Sequence, residues 1–253
     1  MNLRNSLIFI LSFGFLISSN YLYSQNLPRE HGFLGVGITY GADIPGGDLA
    51  ERYGANFHAG INLSVYSVKW KGMFGVEGSF QFGNNVKEDV LAPFRLSSGA
   101  ILGNNGQLAQ VFLRRRGFYV GLLANKTLIS SKKNPHSGLN LGLGLGISQH
   151  GIRIIDDSNN TPQFEDDFGR GYDRNTRGPA LKQTLTYLHI GTNKSLNYSI
   201  GLTLLEAFTE SIRTINFDTM ENAAGRRFDL LIGIEATWYL PIRNFEQSDE
   251  IFY

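Results

Sequence analysis

The stretch GLNLGLGLGISQ (138–149) places leucine or isoleucine at every second position from Leu139 to Ile147, with only Asn, Gly and Ser between them. A period of two is the repeat of a β-strand, so these aliphatic residues share one face. The other face carries almost no side chain. A dinucleotide loop does not fit, because G-x-G-x-x-G would require glycine where Ile147 stands and no helical pattern follows. The chain must therefore supply an apolar surround for one face and close neighbours for the other.

The same alternation recurs along the chain, and helical periodicity is nearly absent. FLGVGITYG (33–41) aligns Leu34, Val36, Ile38 and Tyr40. NFHAGINLSVY (56–66) sets Phe57, Ala59, Ile61, Leu63 and Val65 against His58, Gly60, Asn62 and Ser64. MFGVEGSFQFG (73–83) sets Phe74, Val76, Phe80 and Phe82 against Glu77, Ser79 and Gln81. GFYVGLLANKT (117–127) is less strict, and KQTLTYLHIGT (182–192) has apolar residues on both parities. NYSIGLTLLEAF (197–208) and RFDLLIGIEATWYLP (227–241) alternate cleanly. With 138–149 this makes about eight strands of roughly ten residues, the length that crosses a bilayer at a tilt.

Between these segments, long connections (42–55, 84–116, 150–181, 209–226) take turns with short ones (67–72, 128–137, 193–196). Long loops at one end and short turns at the other are the pattern of an up-and-down barrel in the outer membrane. The faces agree. In a soluble sandwich the polar face meets water and is rich in Lys and Glu. Here it holds mostly Gly, Ser, Thr and Asn, and only 18% of all residues are charged, against about a quarter in soluble domains. Small polar residues suit the crowded interior of a small closed barrel. Aromatic residues near strand ends (Tyr40, Tyr66, Trp70, Phe82, Tyr198, Phe208, Trp238, Tyr239) are expected to form interfacial girdles. The fold expected is thus all-β: a closed eight-stranded antiparallel up-and-down transmembrane β-barrel.

The net charge of +1 gives no basic field for nucleic acid, and the absence of Cys excludes disulfides, thiolate metal sites and a Cys nucleophile. Residues 1–24 read as a cleaved signal peptide, with Arg4 before the apolar run SLIFILSFGFLISS and Ser24 at the expected cleavage point. Residues 25–241 form the expected barrel. Residues 242–253, after Pro241, are expected to be a periplasmic tail.

The signal ending in YSQ, the alternating strands and the closing LLIGIEATWYLP resemble the small outer-membrane β-barrels of OmpA/OmpX type, in the form common in Bacteroidota. The resemblance spans about 32–241 and rests on pattern. It implies a bacterial outer-membrane location and a non-enzymatic role, structural or partner-docking through long extracellular loops. Some members of such families serve as accessory subunits of secretion or gliding machinery. A narrow channel and a lipid-modifying barrel enzyme are the alternatives; for the enzyme, Ser148 and His150 at the end of the fifth strand would form a rim pair.

No cofactor or metal motif is present: the five histidines lack H-E-x-x-H spacing, and DDSNNT (156–161) lacks the glycine and distant Glu of a calcium loop. Glu77 and Glu235 are expected inside, where each needs a cation; Lys126, Lys182 and His58 are the candidates, forming an interior polar network. FLRRRGF (112–118) puts Arg114, Arg115 and Arg116 at the start of the fourth strand, a candidate contact for lipopolysaccharide phosphates. The expected partners are outer-membrane lipid and lipopolysaccharide, and a protein docked on the loops or the tail.

Overall fold

A computed structural model describes residues 32–132, 134–164, 166–191 and 196–244. The expected signal segment lies outside them, as does the chain beyond residue 244. The barrel strands are β1 (Phe33–Gly47), β2 (Asn56–Ser67), β3 (Gly72–Gly83), β4 (Val111–Ser130), β5 (Gly138–Asp156), β6 (Thr176–Ile190), β7 (Asn197–Ser211) and β8 (Arg226–Asn244), and a two-stranded hairpin pairs Ile101–Leu102 with Leu108–Ala109 in the second long loop. Each pairs antiparallel with its chain neighbours, and β8 returns to β1, so the sheet closes as an eight-stranded up-and-down barrel. Closure leaves no unpaired edge.

Four strands run well past the stretches that alternation marks out, the first being β1, which continues to Gly47. β4 begins at Val111 and β5 continues to Asp156, with Arg114 opposite Arg153 and Arg116 opposite Gly151. β6 begins at Thr176. The charged ends of these strands read as loop by composition, yet they keep the period of two. At the other end β8 continues through Pro241 to Asn244. A register shift between Leu34 and Gly35 lies opposite Pro241, and a bulge is where a strand tolerates a residue with no N–H to donate.

The outward face is apolar over the middle of the strands, apart from Gln183 of β6 and Glu206 of β7. Ile61, Leu145 and Ile234 are 65%, 66% and 61% exposed. An apolar surface that wraps the whole barrel far exceeds the isolated patches of a water-soluble monomer. Aromatic rings mark its upper edge: Tyr40 stacks on Phe57 at 6.1 Å, Phe57 lies 6.2 Å from Phe82, and Phe82 lies 6.2 Å from Phe80. Trp70, Tyr198 and Trp238 stand on the outside near the short turns. Tyr66 and Tyr239, expected in a girdle, point inward instead and are 2% and 7% exposed; their positions share parity with the lumen-facing residues of their strands.

Apolar clusters fill both ends of the lumen. At the short-turn end Phe33, Tyr66, Met73, Leu188, Ile190 and Tyr239 pack together. At the long-loop end the cluster mixes strand residues (Tyr119, Ile152, Leu205, Leu231) with loop residues. Leu49 comes from a short helix, α1 (Leu49–Arg52), and Tyr53 follows it; Val90 and Leu91 come from loop 84–110, and Phe164 from loop 157–175. The loops therefore plug the barrel from above.

Candidate functional site

Between the two plugs the lumen carries a continuous chain of polar side chains. Arg115 of β4 points inward and is 1% exposed. Its Nη2 donates to Gln81 Oε1 at 2.7 Å and its Nη1 to Asn56 Oδ1. Asn56 Nδ2 donates to Asp43 Oδ2 at 3.2 Å, and the same oxygen accepts from His58 Nδ1 at 2.7 Å. The other ring nitrogen of His58 lies 3.6 Å from Glu235 Oε2. Lys182 Nζ reaches Glu235 at 3.0 Å and donates to Glu77 Oε2 at 2.9 Å. Seven strands contribute if the neighbouring β5 is counted, since its Gly144 leaves the room these groups occupy. A Cβ there would stand 2.8 Å from Tyr119 Oη, 3.1 Å from Glu77 Oε1 and 3.2 Å from Lys182 Cβ. A cavity of about 40 Å³ lies beside Lys182, Glu77, Glu235 and Gly144.

The structure thus brings together four of the residues expected in an interior network: His58, Glu77, Glu235 and Lys182. Lys126 does not join them. It faces outward, with its ammonium 4.7 Å from the centre of the Trp70 ring. The parity of β4 explains this: Tyr119, Gly121, Leu123 and Asn125 share the inward face, and an apolar Leu123 inside obscured which parity was which. The partners Asp43, Asn56, Gln81 and Arg115 are not among the residues expected in that interior network, and Arg115 is expected instead at the lipid surface. Asp43 and Arg115 lay in stretches read as connections, and carrying the period of two a few residues further would have found both.

Arg115 therefore cannot take part in a surface contact with lipid. Arg114 and Arg116 do face outward, and Arg153 of β5 stands directly opposite Arg114. Like charges placed opposite each other in a sheet repel. Among the described residues none of these three is paired with a carboxylate. A groove of about 200 Å³ runs past Arg116 and Arg153, with Phe80 and Phe118 on its lower side. Gly151, opposite Arg116, contributes no side chain to it.

Ser148 and His150 do not form a rim pair. Both point into the lumen and are 3% and 2% exposed. His150 Nε2 lies 2.8 Å from Asp229 Oδ2, and Thr176 Oγ1 lies 3.0 Å from that same nitrogen. Thr176 Oγ1 also lies 3.4 Å from Nδ1, and this cluster, buried inside the lumen, ties β5, β6 and β8 together. The narrow-channel alternative meets an obstacle as well, because both ends of the lumen are filled.

Above the barrel, ion pairs bind the loops to one another. Glu88 accepts from Arg52 Nε at 2.5 Å and from Arg174 Nε at 2.6 Å. Arg174 also holds Asp218 through both terminal nitrogens, at 2.8 and 2.6 Å. Arg213 pairs with Asp173. Asp156 is occupied locally, accepting from Ser158, Asn160 and Thr161, which leaves DDSNNT as a self-satisfied turn. Burial works to raise the Asp156 pKa, but the hydrogen bonds from Ser158, Thr161 and the loop amides outweigh it and hold the carboxyl below the usual range.

Burial likewise pushes the Glu88 carboxyl up, and the Arg52 and Arg174 guanidiniums more than offset it, so its pKa lies below the ordinary 4.5. A depressed folded-state pKa contributes stability that is present above the unfolded value and lost as pH falls through the folded one. The expected result is faster amide hydrogen exchange in loop 84–110 as pH falls below the ordinary 4.5 and through the depressed pKa of Glu88, after correction for the intrinsic rate, with the strands unchanged. Equal loop protection at pH 6 and pH 3 would contradict the assignment.

The fold and its two surfaces define the chain as a small closed β-barrel with an apolar exterior and a plugged, ionic interior. No family model and no curated protein matches the sequence. Among solved structures the chain is similar to Ail, the attachment invasion locus protein of Yersinia pestis, in complex with the heparin analogue sucrose octasulfate. The identity is 10% and the TM-score 0.40, over 86% of this chain and all of that one.

Proposed function

We propose that this protein is a non-enzymatic integral barrel of the bacterial outer membrane, with the apolar belt in the bilayer, the short turns in the periplasm and the long loops outside. Its rim arginines hold the phosphates of lipopolysaccharide, and its loops offer a docking surface. The observation that carries the reading is the position of Arg114, Arg116 and Arg153: outward, without carboxylate partners among the described residues, directly above the aromatic edge of the belt. Guanidinium groups bind phosphate through paired N–H donors, and that edge is where the phosphates of an outer leaflet lie. An anion there also relieves the repulsion between Arg114 and Arg153. The docking role draws on the long loops, at whose tips Phe168 and Met220 stand 70% and 80% exposed.

The test is the triple variant Arg114→Gln, Arg116→Gln, Arg153→Gln, purified in mild detergent from outer membranes. Lipopolysaccharide carried per barrel is expected to fall several-fold while the heat-modifiable migration of the folded barrel stays. Replacing the inward Arg115 belongs to a different experiment, since it acts on the lumen. Undiminished lipopolysaccharide content in the triple variant would sink the lipid-contact role.

A further inference from the structure

On the outer face of β6 and β7 two polar side chains interrupt the aliphatic belt. Gln183 and Glu206 both point away from the lumen, and Gln183 Nε2 donates to Glu206 Oε1 at 3.3 Å. Leu143 and Leu204 flank Gln183, and Leu181 and Leu230 flank Glu206, each on a neighbouring strand. The pair lies within the belt, between Tyr198 and Trp238 at one edge and Phe208 and Phe228 at the other. Glu206 is 2% exposed, covered by its neighbours, whereas Gln183 is half-buried. Among the described residues the carbonyl and the second N–H of that amide have no partner, and hydrocarbon offers them none.

We propose that Gln183 marks the interface between two copies of this chain, related by a two-fold axis parallel to the barrel. Such an axis keeps the loops of both copies on one side of the membrane and brings the two Gln183 residues to the same depth. A carboxamide complements itself. Each copy donates one N–H to the other's carbonyl, and Glu206 of the same chain accepts the remaining N–H and holds the amide in place. The leucines around the pair present an aliphatic surface that packs against its own symmetry mate. An acyl chain satisfies none of these groups, and the second copy supplies the matching amide at the right depth by symmetry alone. The proposal rests on the membrane reading above.

The chain contains no cysteine, so Gln183→Cys introduces a single thiol. The full-length variant, expressed in the outer membrane of a Gram-negative host, is expected to give a disulfide-linked dimer when isolated membranes are oxidised. Ile61→Cys, on β2 at the opposite wall, is expected to stay monomeric. Sedimentation of the wild-type barrel in detergent is expected to show a dimer, and Gln183→Leu to weaken it about tenfold. A Gln183→Cys barrel that stays monomeric in the membrane fraction overturns the interface and leaves the membrane reading standing. A disulfide to a different protein overturns the choice of a second copy. Recovery of the folded protein in the soluble fraction overturns the membrane reading and this proposal with it.

Discussion

Replacing Lys182 with Met is expected to cost about 3–5 kcal/mol of barrel stability, because it leaves buried carboxylates without their cation. Lys182 is the only ammonium in contact with both Glu77 and Glu235, at 2.9 and 3.0 Å, among the described residues. Without it Glu235 keeps only His58, at 3.6 Å, and Glu77 keeps no cation. The measurement is a urea unfolding midpoint for the barrel refolded into lipid vesicles, read by tryptophan fluorescence and by heat-modifiable migration. Adding Glu77→Gln and Glu235→Gln to Lys182→Met is expected to restore much of the loss, since neutral amides carry no uncompensated charge. Lys126→Met serves as the control. It removes a cation–π contact to Trp70 on the exterior, worth about 0.5–1 kcal/mol. Equal midpoints for the Lys182 and Lys126 variants would show that the interior ion chain does not hold the barrel together.

The second large effect is expected at Gly146. This residue faces the lumen opposite Gly121. A Cβ there would lie 2.1 Å from the Val120 carbonyl oxygen and 2.6 Å from Gly121 Cα. Both obstacles are backbone, so no rotamer change relieves them. Gly146→Val is expected to destabilise the barrel by about 3 kcal/mol or more, at or beyond the upper range for overpacking, and to lower the folded fraction recovered from membranes. Gly78→Ala provides the contrast. Gly78 faces outward, and its nearest atom is Val120 Cγ2 at 3.9 Å; the change is expected to stay within about 0.5 kcal/mol. Matched losses at the two positions would mean that glycine is needed here for strand flexibility in general, with no special role for the approach of β4 to β5.

These two experiments also separate what was legible in the sequence from what was not. The barrel followed from alternation, because a period of two assigns each residue to lumen or exterior without any knowledge of partners. That is why His58, Glu77 and Glu235 were placed inside. Lys182 stands in a strand with apolar residues on both parities, which leaves its side undetermined in the sequence, and the same ambiguity in β4 hides the outward side of Lys126. The long-range pairings were beyond reach: Asp43 and Arg115 meet through Asn56 only after the barrel closes. Arg115 shows a further limit. A run of three arginines reads as one charged cluster, yet the strand period turns the middle one into the lumen and leaves its neighbours outside. Glu206 was legible in principle, since it shares the parity of Tyr198, Ile200, Leu202 and Leu204. Loop residues that reach back into the barrel mouth leave no periodic signal at all.

Those loop residues have a consequence for protein engineering. Surface loops of small barrels are attractive places to insert foreign peptides, because a loop that only spans two strands tolerates added length. In this protein the permissive ground is narrower. The segments carrying Leu49, Tyr53, Val90, Leu91 and Phe164 are core in loop position, and an insertion that displaces them would uncork the barrel mouth. The turn around Gly106, which has open space where a Cβ would stand, and the segment near the exposed Met220 are where a graft has room, so the chain has fewer free loops than its topology offers.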